Sequence, residues 1–132
     1  MEIDGIIDAF DIGVRLWQPK DLGFSFDVEE TGSSFGENAF LKARGLLSLL
    51  SGNLAVGVSA SKPPIEIQAL WNAQVRDQRA VIIADDSGLR VDALNGGPGI
   101  LTARYGQDRD QPPKNDTQRW QLLLDDLTAL EA

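Results

Sequence analysis

The sequence predicts an α/β layer fold, and three observations carry that prediction. Ser34-Phe35-Gly36-Glu37 is a capping box at the head of an amphipathic helix that runs to about Leu50. Ala80 to Ala84 is a continuous apolar run, the composition of a strand buried on both faces. Asn115 to Leu130 is a second helix, with Trp120, Leu123, Leu124, Leu127 and Leu130 on one face. Helices alternating with apolar strands pack as layers.

Taken in order, Ile3 to Phe10 reads as the end of a short helix and Val14 to Trp17 as a short strand. Asp21 to Gly32 reads as a loop carrying Asp27, Glu29 and Glu30. In the first long helix, Phe35, Ala39, Phe40, Ala43, Leu46, Leu47 and Leu50 recur at helical spacing, and Gly52-Asn53 supplies the stop. Ser51 to Pro64 reads as a loop with a short strand at Leu54 to Val58. Pro63-Pro64 opens another helix, whose stripe is Ile67, Leu70, Trp71 and Val75. Leu89 to Leu94 is a short strand or extended turn, and Asn95 to Gly99 is a turn by composition. Two or three convincing strands are few for a self-sufficient sheet.

The bulk numbers narrow the chemistry. The 132 residues fit one domain, and 42% apolar with 24% charged residues is ordinary for a globular chain. A formal net charge of −8 argues against a broad nucleic-acid-binding surface. Without cysteine or histidine, disulfides, Cys/His zinc sites and Ser-His-Asp triads are excluded. Carboxylate, lysine, arginine and hydroxyl chemistry remains, with a hard cation such as Mg²⁺. No stretch reaches the length of a membrane span and the first residues show no basic-then-apolar leader, so a cytoplasmic location is expected.

Ala84-Asp85-Asp86-Ser87-Gly88-Leu89, with Gly96-Gly97-Pro98-Gly99 and Arg104 following, is where such chemistry concentrates. Ligands in open α/β sheets gather at the carboxyl ends of strands. Adjacent side chains of an extended stretch point to opposite faces, so Asp85 and Asp86 reach one ion only if Ser87-Gly88 turns the backbone. Both carboxylates can then hold Mg²⁺, or one can hold it while the other draws a proton from water. An Asp-rich turn after a strand has the same composition. Glu29 and Glu30 fit either metal ligation or a helix N-terminus that favours negative charge. Asn38 and Lys42 share a helix face at i, i+4, and a lysine there can reach a phosphate or simply meet solvent. The glycine-rich turn lacks the Gly-Lys-Ser/Thr of a Walker loop. Arg104 can bind phosphate or pair with Asp92 or Asp108.

Two long motifs then fall into place together. Glu29-Glu30-Thr31-Gly32-Ser33-Ser34-Phe35-Gly36-Glu37-Asn38-Ala39-Phe40-Leu41-Lys42-Ala43 and Ala84-Asp85-Asp86-Ser87-Gly88-Leu89-Arg90-Val91-Asp92-Ala93-Leu94, with Gly97-Pro98-Gly99 and Ala103-Arg104-Tyr105, resemble the inosine triphosphate pyrophosphatase family. That family hydrolyses ITP, dITP and XTP to the monophosphate and pyrophosphate. The resemblance implies a partial fold of that type, a small mixed sheet flanked by helices in a single domain over 1–132. It implies Glu30, Asp85 and Asp86 as ligands of Mg²⁺, and Asp86 as the carboxylate that activates water at the α-phosphorus. Lys42, Ser87, Gly88 and Arg104 become contacts to the nucleoside triphosphate. It further implies a homodimer, or a complementing chain where motifs are missing; the charge and the lack of a span-length stretch leave no nucleic-acid and no membrane partner expected.

The family also has an opening strand with a Ser/Thr-x-Asn-x-x-Lys turn, and later strands with Gly-Tyr-Asp-Pro and Ser-His-Arg segments that read the purine. This sequence matches neither set, and its connection from Lys42 to Asp85 is longer than usual, so about 52–79 reads as an insertion. The expectation is a member truncated at both ends, a half-protein completed by another chain or by itself, or a divergent small relative. The rival expectations are a remnant or interaction module that binds nucleotide or metal without turnover, and a phosphatase of smaller esters. The preferred base is not legible.

Overall fold

The computed structural model describes residues 13–131. It contains helices and small antiparallel sheets, the α/β class expected from the sequence. The strands are β1 (Phe26–Val28), β2 (Val58–Ala60), β3 (Arg90–Val91) and β4 (Gly97–Pro98). The α-helices are α1 (Phe35–Leu50), α2 (Ile65–Arg76) and α3 (Asp116–Glu131). Short 3₁₀ turns occupy Pro19–Leu22, Asp92–Leu94 and Gly99–Arg104. The described residues gather into two compact units, 13–29 with 42–83 and 30–41 with 84–131.

In the first unit, β1 and β2 pair antiparallel, with Phe26 opposite Ala60, Asp27 opposite Ser59 and Val28 opposite Val58. One end of the ladder is closed by Ser25 N–H on Ser61 Oγ at 2.8 Å and Ser61 N–H on Ser25 Oγ at 3.1 Å. At the other end, Glu29 N–H donates to the Gly57 carbonyl at 2.8 Å. Phe24, Phe26 and Val28 turn inward while Ser25 and Asp27 face water, the period-two pattern of a half-buried strand. α1 approaches this ladder at Gly45. A Cβ there would meet Val28 Cγ2 at 2.8 Å and Val58 Cγ2 at 3.1 Å, so a hydrogen at Gly45 sets how close the helix lies. Phe24, Leu49 and Leu50 form the buried cluster, and Leu22, Phe26, Leu46, Ala60, Ile67, Trp71 and Ile82 pack around it.

α1 stops in a Schellman motif. Gly52 takes φ 84°, its N–H reaches the Leu49 carbonyl, and Asn53 N–H reaches the Ser48 carbonyl. Gln68 Nε2 of α2 donates to the Leu50 carbonyl, satisfying another open acceptor of that helix end. α2 starts as the two prolines require, with Pro64 extended and its carbonyl accepting from Ile67 and Gln68. Its stripe is narrower than expected: Ile67 and Trp71 pack, whereas Leu70 and Val75 stay exposed.

In the second unit, α1 and α3 begin with the same device. Ser34 Oγ accepts from Glu37 N–H at 3.2 Å, and Asn115 Oδ1 accepts from Gln118 N–H at 2.9 Å. The return bond lands one residue earlier than a capping box places it: Glu37 Oε2 takes Ser33 N–H, and Gln118 Oε1 takes Lys114 N–H. β3 and β4 form a tight antiparallel pair, Arg90 opposite Pro98 and Val91 opposite Gly97, turned at Asn95 and Gly96 with positive φ. α3 buries Leu123, while Trp120, Leu124 and Leu130 remain exposed, so its predicted face is only partly used.

Four readings of the sequence are corrected. Val14 to Trp17 is not a strand; Val14 and Trp17 are exposed and lead into the Pro19 turn. The stretch read as loop holds β1, because the alternation of Phe24, Phe26 and Val28 outweighs its acids. The strand placed at Leu54 to Val58 lies at Val58–Ala60, where it can pair with β1, and Leu54 and Val56 are exposed. Ala80 to Ala84 is irregular rather than a strand buried on both faces: Val81 is 84% exposed and Ile83 52%, and only Ile82 reaches the core cluster. The helix end read at Ile3 to Phe10 lies outside the described residues.

Candidate functional site

The residues singled out by sequence fall mostly on 30–41 and 84–104, within one unit. Asn38 is its centre and is 0% exposed. Its side-chain oxygen accepts the Gly32 N–H at 2.8 Å, and its amide nitrogen donates to Asp86 Oδ2 at 3.2 Å. Glycine at 32 is a steric requirement: a Cβ there would lie 2.6 Å from Asn38 Oδ1 and 2.8 Å from Glu37 Cβ. The first turns of α1 thereby hold the second aspartate of the acid pair.

Asp86 is half-buried, whereas Asp85 and Ser87 are exposed. The backbone around them is irregular and belongs to no ladder, so the acids do not follow a buried strand as the sequence suggested. What fixes this segment is the next glycine. A Cβ on Gly88 would run into the Gly99 carbonyl, the Thr102 hydroxyl and the Phe35 ring. Leu89 N–H donates to Thr102 Oγ1 at 2.9 Å, and that hydroxyl donates to the Gly99 carbonyl at 2.5 Å. Gly99 N–H returns to the Leu89 carbonyl at 2.8 Å. The Asp-Asp-Ser-Gly segment is thus clamped on the 3₁₀ turn that carries Arg104.

Arg104 is exposed and gives one of its donors, Nη2, to the Glu30 carbonyl at 3.3 Å. The bond ties the acid before α1 to the same turn. Glu30 is half-buried. Lys42 is half-buried on α1, one turn after Asn38, and belongs to the other unit. Among the described residues no three acids group closely enough to cage a metal ion. Mg²⁺ does not need such a cage: it keeps waters and takes one or two carboxylates together with substrate phosphates. The hard oxygen donors of Asp85 and Asp86 suit it in kind.

A shallow concavity of ≈ 390 Å³ opens beside this framework, lined by Thr31, Gly32, Gly36, Glu37, Phe40 and Leu41. Glu37 is held below the usual carboxylate range by the Ser33 hydroxyl at 2.7 Å and the Ser33 N–H at 2.6 Å, which outweigh its slight desolvation. On the far side of the Arg104 turn, Tyr105 donates to Asp126 Oδ2 at 2.6 Å, and Arg109 Nη2 meets the same oxygen at 2.6 Å. Burial first, then the carboxylate, pushes the Tyr105 phenol upward.

Asn38 and Thr102 were missed as site residues by sequence reasoning. A single enclosed amide leaves no periodicity. Its only signal is an asparagine one turn before Lys42 on a helix whose other inward positions are apolar.

The Ham1 family model matches residues 1–132. The dITP/XTP pyrophosphatase of Treponema denticola is 42% identical over 88 residues, 67% of this chain and 31% of that protein. The dITP/XTP pyrophosphatase of Leptospira interrogans serovar copenhageni is 36% identical over 126 residues, 96% of this chain and 47% of its own. That of Bacillus cereus ATCC 14579 is 33% identical over 129 residues, 98% of this chain and 46% of its own. The chain therefore spans about half the length or less of these relatives. No solved structure matches it. These relatives bear out the resemblance carried by the two motifs: the chain belongs to the Ham1 family.

Proposed function

We propose that this chain carries the water-activating part of a nucleoside triphosphate pyrophosphatase acting on ITP, dITP and XTP. The observation that carries the reading is Asp86: a half-buried carboxylate bonded to an enclosed amide, on the segment clamped through Gly88, in a chain whose relatives are named dITP/XTP pyrophosphatases.

In this reading Asp86 takes a proton from water as the water oxygen bonds to the α-phosphorus. The bond from that phosphorus to the bridging oxygen breaks, and pyrophosphate leaves with the electron pair. The proton on Asp86 then returns to solvent. Asp85, Asp86 and Glu30 supply hard oxygen donors for Mg²⁺, which when bound neutralises phosphate charge and favours ionisation of water. Arg104 offers a cation to the triphosphate, which the net charge of −8 would otherwise repel, and Lys42 keeps the phosphate-contacting role that the resemblance gives it. Ser87 and the backbone at Gly88 line the phosphate path.

The active assembly in this reading is cytoplasmic, and either a homodimer or a pair with a complementing chain. Exposed apolar side chains such as Phe40, Ile65, Val81 and Leu124 support a covering partner. No helix among the described residues is long and apolar enough to cross a membrane.

The test is pyrophosphate release from ITP, dITP and XTP against ATP and GTP, with and without Mg²⁺. Asp86→Asn is expected to lower the rate about 10²–10⁴-fold, the usual contribution of a positioned base. Its thermal midpoint should stay close to that of the unaltered chain, because an asparagine oxygen can still accept from Asn38. A rate that survives Asp86→Asn would overturn the assignment.

A further inference from the structure

We propose that Asn38 is the positioning residue for Asp86, keyed by the backbone of Gly32; the proposal rests on reading Asp86 as the base. The logic is one of donors and acceptors. Gly32 N–H can only donate, so whatever meets it at 2.8 Å must be the amide oxygen of Asn38. The other end of that amide is then necessarily a donor, and it faces Asp86 Oδ2 at 3.2 Å. A backbone group therefore sets the amide's orientation, and the amide sets the rotation of the carboxylate.

The chain protects this arrangement from both ends. Asn38 is 0% exposed, so water does not compete for either bond. Ser34 accepts Asn38 N–H at 3.0 Å, which holds the backbone of the residue in the first turn of α1. Gly32 leaves no room for a side chain between the partners. A fully enclosed asparagine is costly unless its polar atoms are matched. Here both ends are matched, one by main chain and one by a candidate reacting group.

The experiment combines three variants of the chain with steady-state pyrophosphate release and thermal melting. Asn38→Asp keeps the acceptor for Gly32 but replaces the donor with a second carboxylate facing Asp86. It is expected to lower kcat about tenfold to a hundredfold, the range seen when an orienting partner is removed, with KM for the nucleotide little changed. Its thermal midpoint should also fall. The double variant Asn38→Asp with Asp86→Asn restores a donor opposite an acceptor, so it should regain the midpoint and not kcat. Gly32→Ala, which crowds the Asn38 oxygen along with Glu37 Cβ and the Asn38 backbone nitrogen, should also lower kcat.

Retention of kcat in Asn38→Asp, in a chain that Asp86→Asn inactivates, would sink the positioning role and leave the pyrophosphatase reading standing. An unaltered chain without pyrophosphate release would instead remove the activity reading. The melting cycle would then decide the coupling alone: a regained midpoint upholds the Asn38–Asp86 pairing, and strictly additive losses overturn it.

Discussion

In the unit of residues 13–29 and 42–83, the buried large side chains are Phe24, Leu49 and Leu50; in that of residues 30–41 and 84–131, they are Asn38 and Leu123. The first is held by apolar contact, each buried methylene worth about 0.8 kcal/mol and none of it directional. The second is held by paired donors and acceptors, each worth about 1 kcal/mol net but costly when left unmatched. The first can therefore tolerate a change of shape that keeps volume. The second tolerates very little change of chemistry at its few ties. Candidate reacting groups lie in the second, where direction matters.

Phe24→Ala should produce the largest loss of stability, about 3–5 kcal/mol, because it opens a cavity at the centre of the apolar cluster. Denaturant unfolding followed by tryptophan emission measures it; Trp71 packs on that cluster. A loss under about 1 kcal/mol would mean the cluster is not what holds this unit.

The two close-approach glycines sharpen the contrast. Gly45→Ala gains up to about 1 kcal/mol of helix propensity, set against a clash with the Val28 and Val58 methyls. Gly88→Ala has no such gain and meets a carbonyl, a hydroxyl and an aromatic ring at once. Overpacking costs about 1–3 kcal/mol, so Gly88→Ala should fall at the upper end and Gly45→Ala near zero or slightly destabilising. Melting curves of the two variants side by side test the order.

Tyr105→Phe should cost about 1 kcal/mol at neutral pH through the lost bond to Asp126. The phenol is raised in the folded chain, so its contribution is present below the ordinary tyrosine range and disappears as pH climbs through and beyond it. The gap between the two proteins should therefore narrow in alkaline buffer, read by urea midpoints across a pH series.

The smallest effect is at Glu37, which is exposed and lowered by Ser33. A lowered carboxylate stabilises above its unfolded value and loses that contribution as pH falls through the folded one. Ser33→Ala should accordingly be slightly less stable at neutral pH and indistinguishable from the unaltered chain in strong acid. Equal stability at every pH would show the bond to be idle.

Much of the helical part of the fold was legible. Ser34, Gly52 and the apolar spacing between them fix α1 by local chemistry, and Pro64 and Asn115 do the same for the starts of α2 and α3. The strands were harder because pairing is not local. Val81 to Ala84 has the composition of a buried strand and no ladder in the structure, whereas Phe26–Val28 has acids around it and a partner at Val58–Ala60. At the site, the motifs marked Asp86 and Gly88, but nothing in residue spacing could foretell that an asparagine read beside Lys42 turns inward to an aspartate far along the chain.

α1 gives its first seven residues to one unit and the remaining nine to the other while staying a single rod. Its amide protons should then exchange with deuterium in two tiers, slow where Leu49 and Leu50 anchor the last turns and faster before Leu41. Fraying of the leading end alone would release the Asn38 carboxamide and scatter the acid pair. Warming is thus expected to free Asn38 at a temperature where most of the far-ultraviolet helical signal is still present.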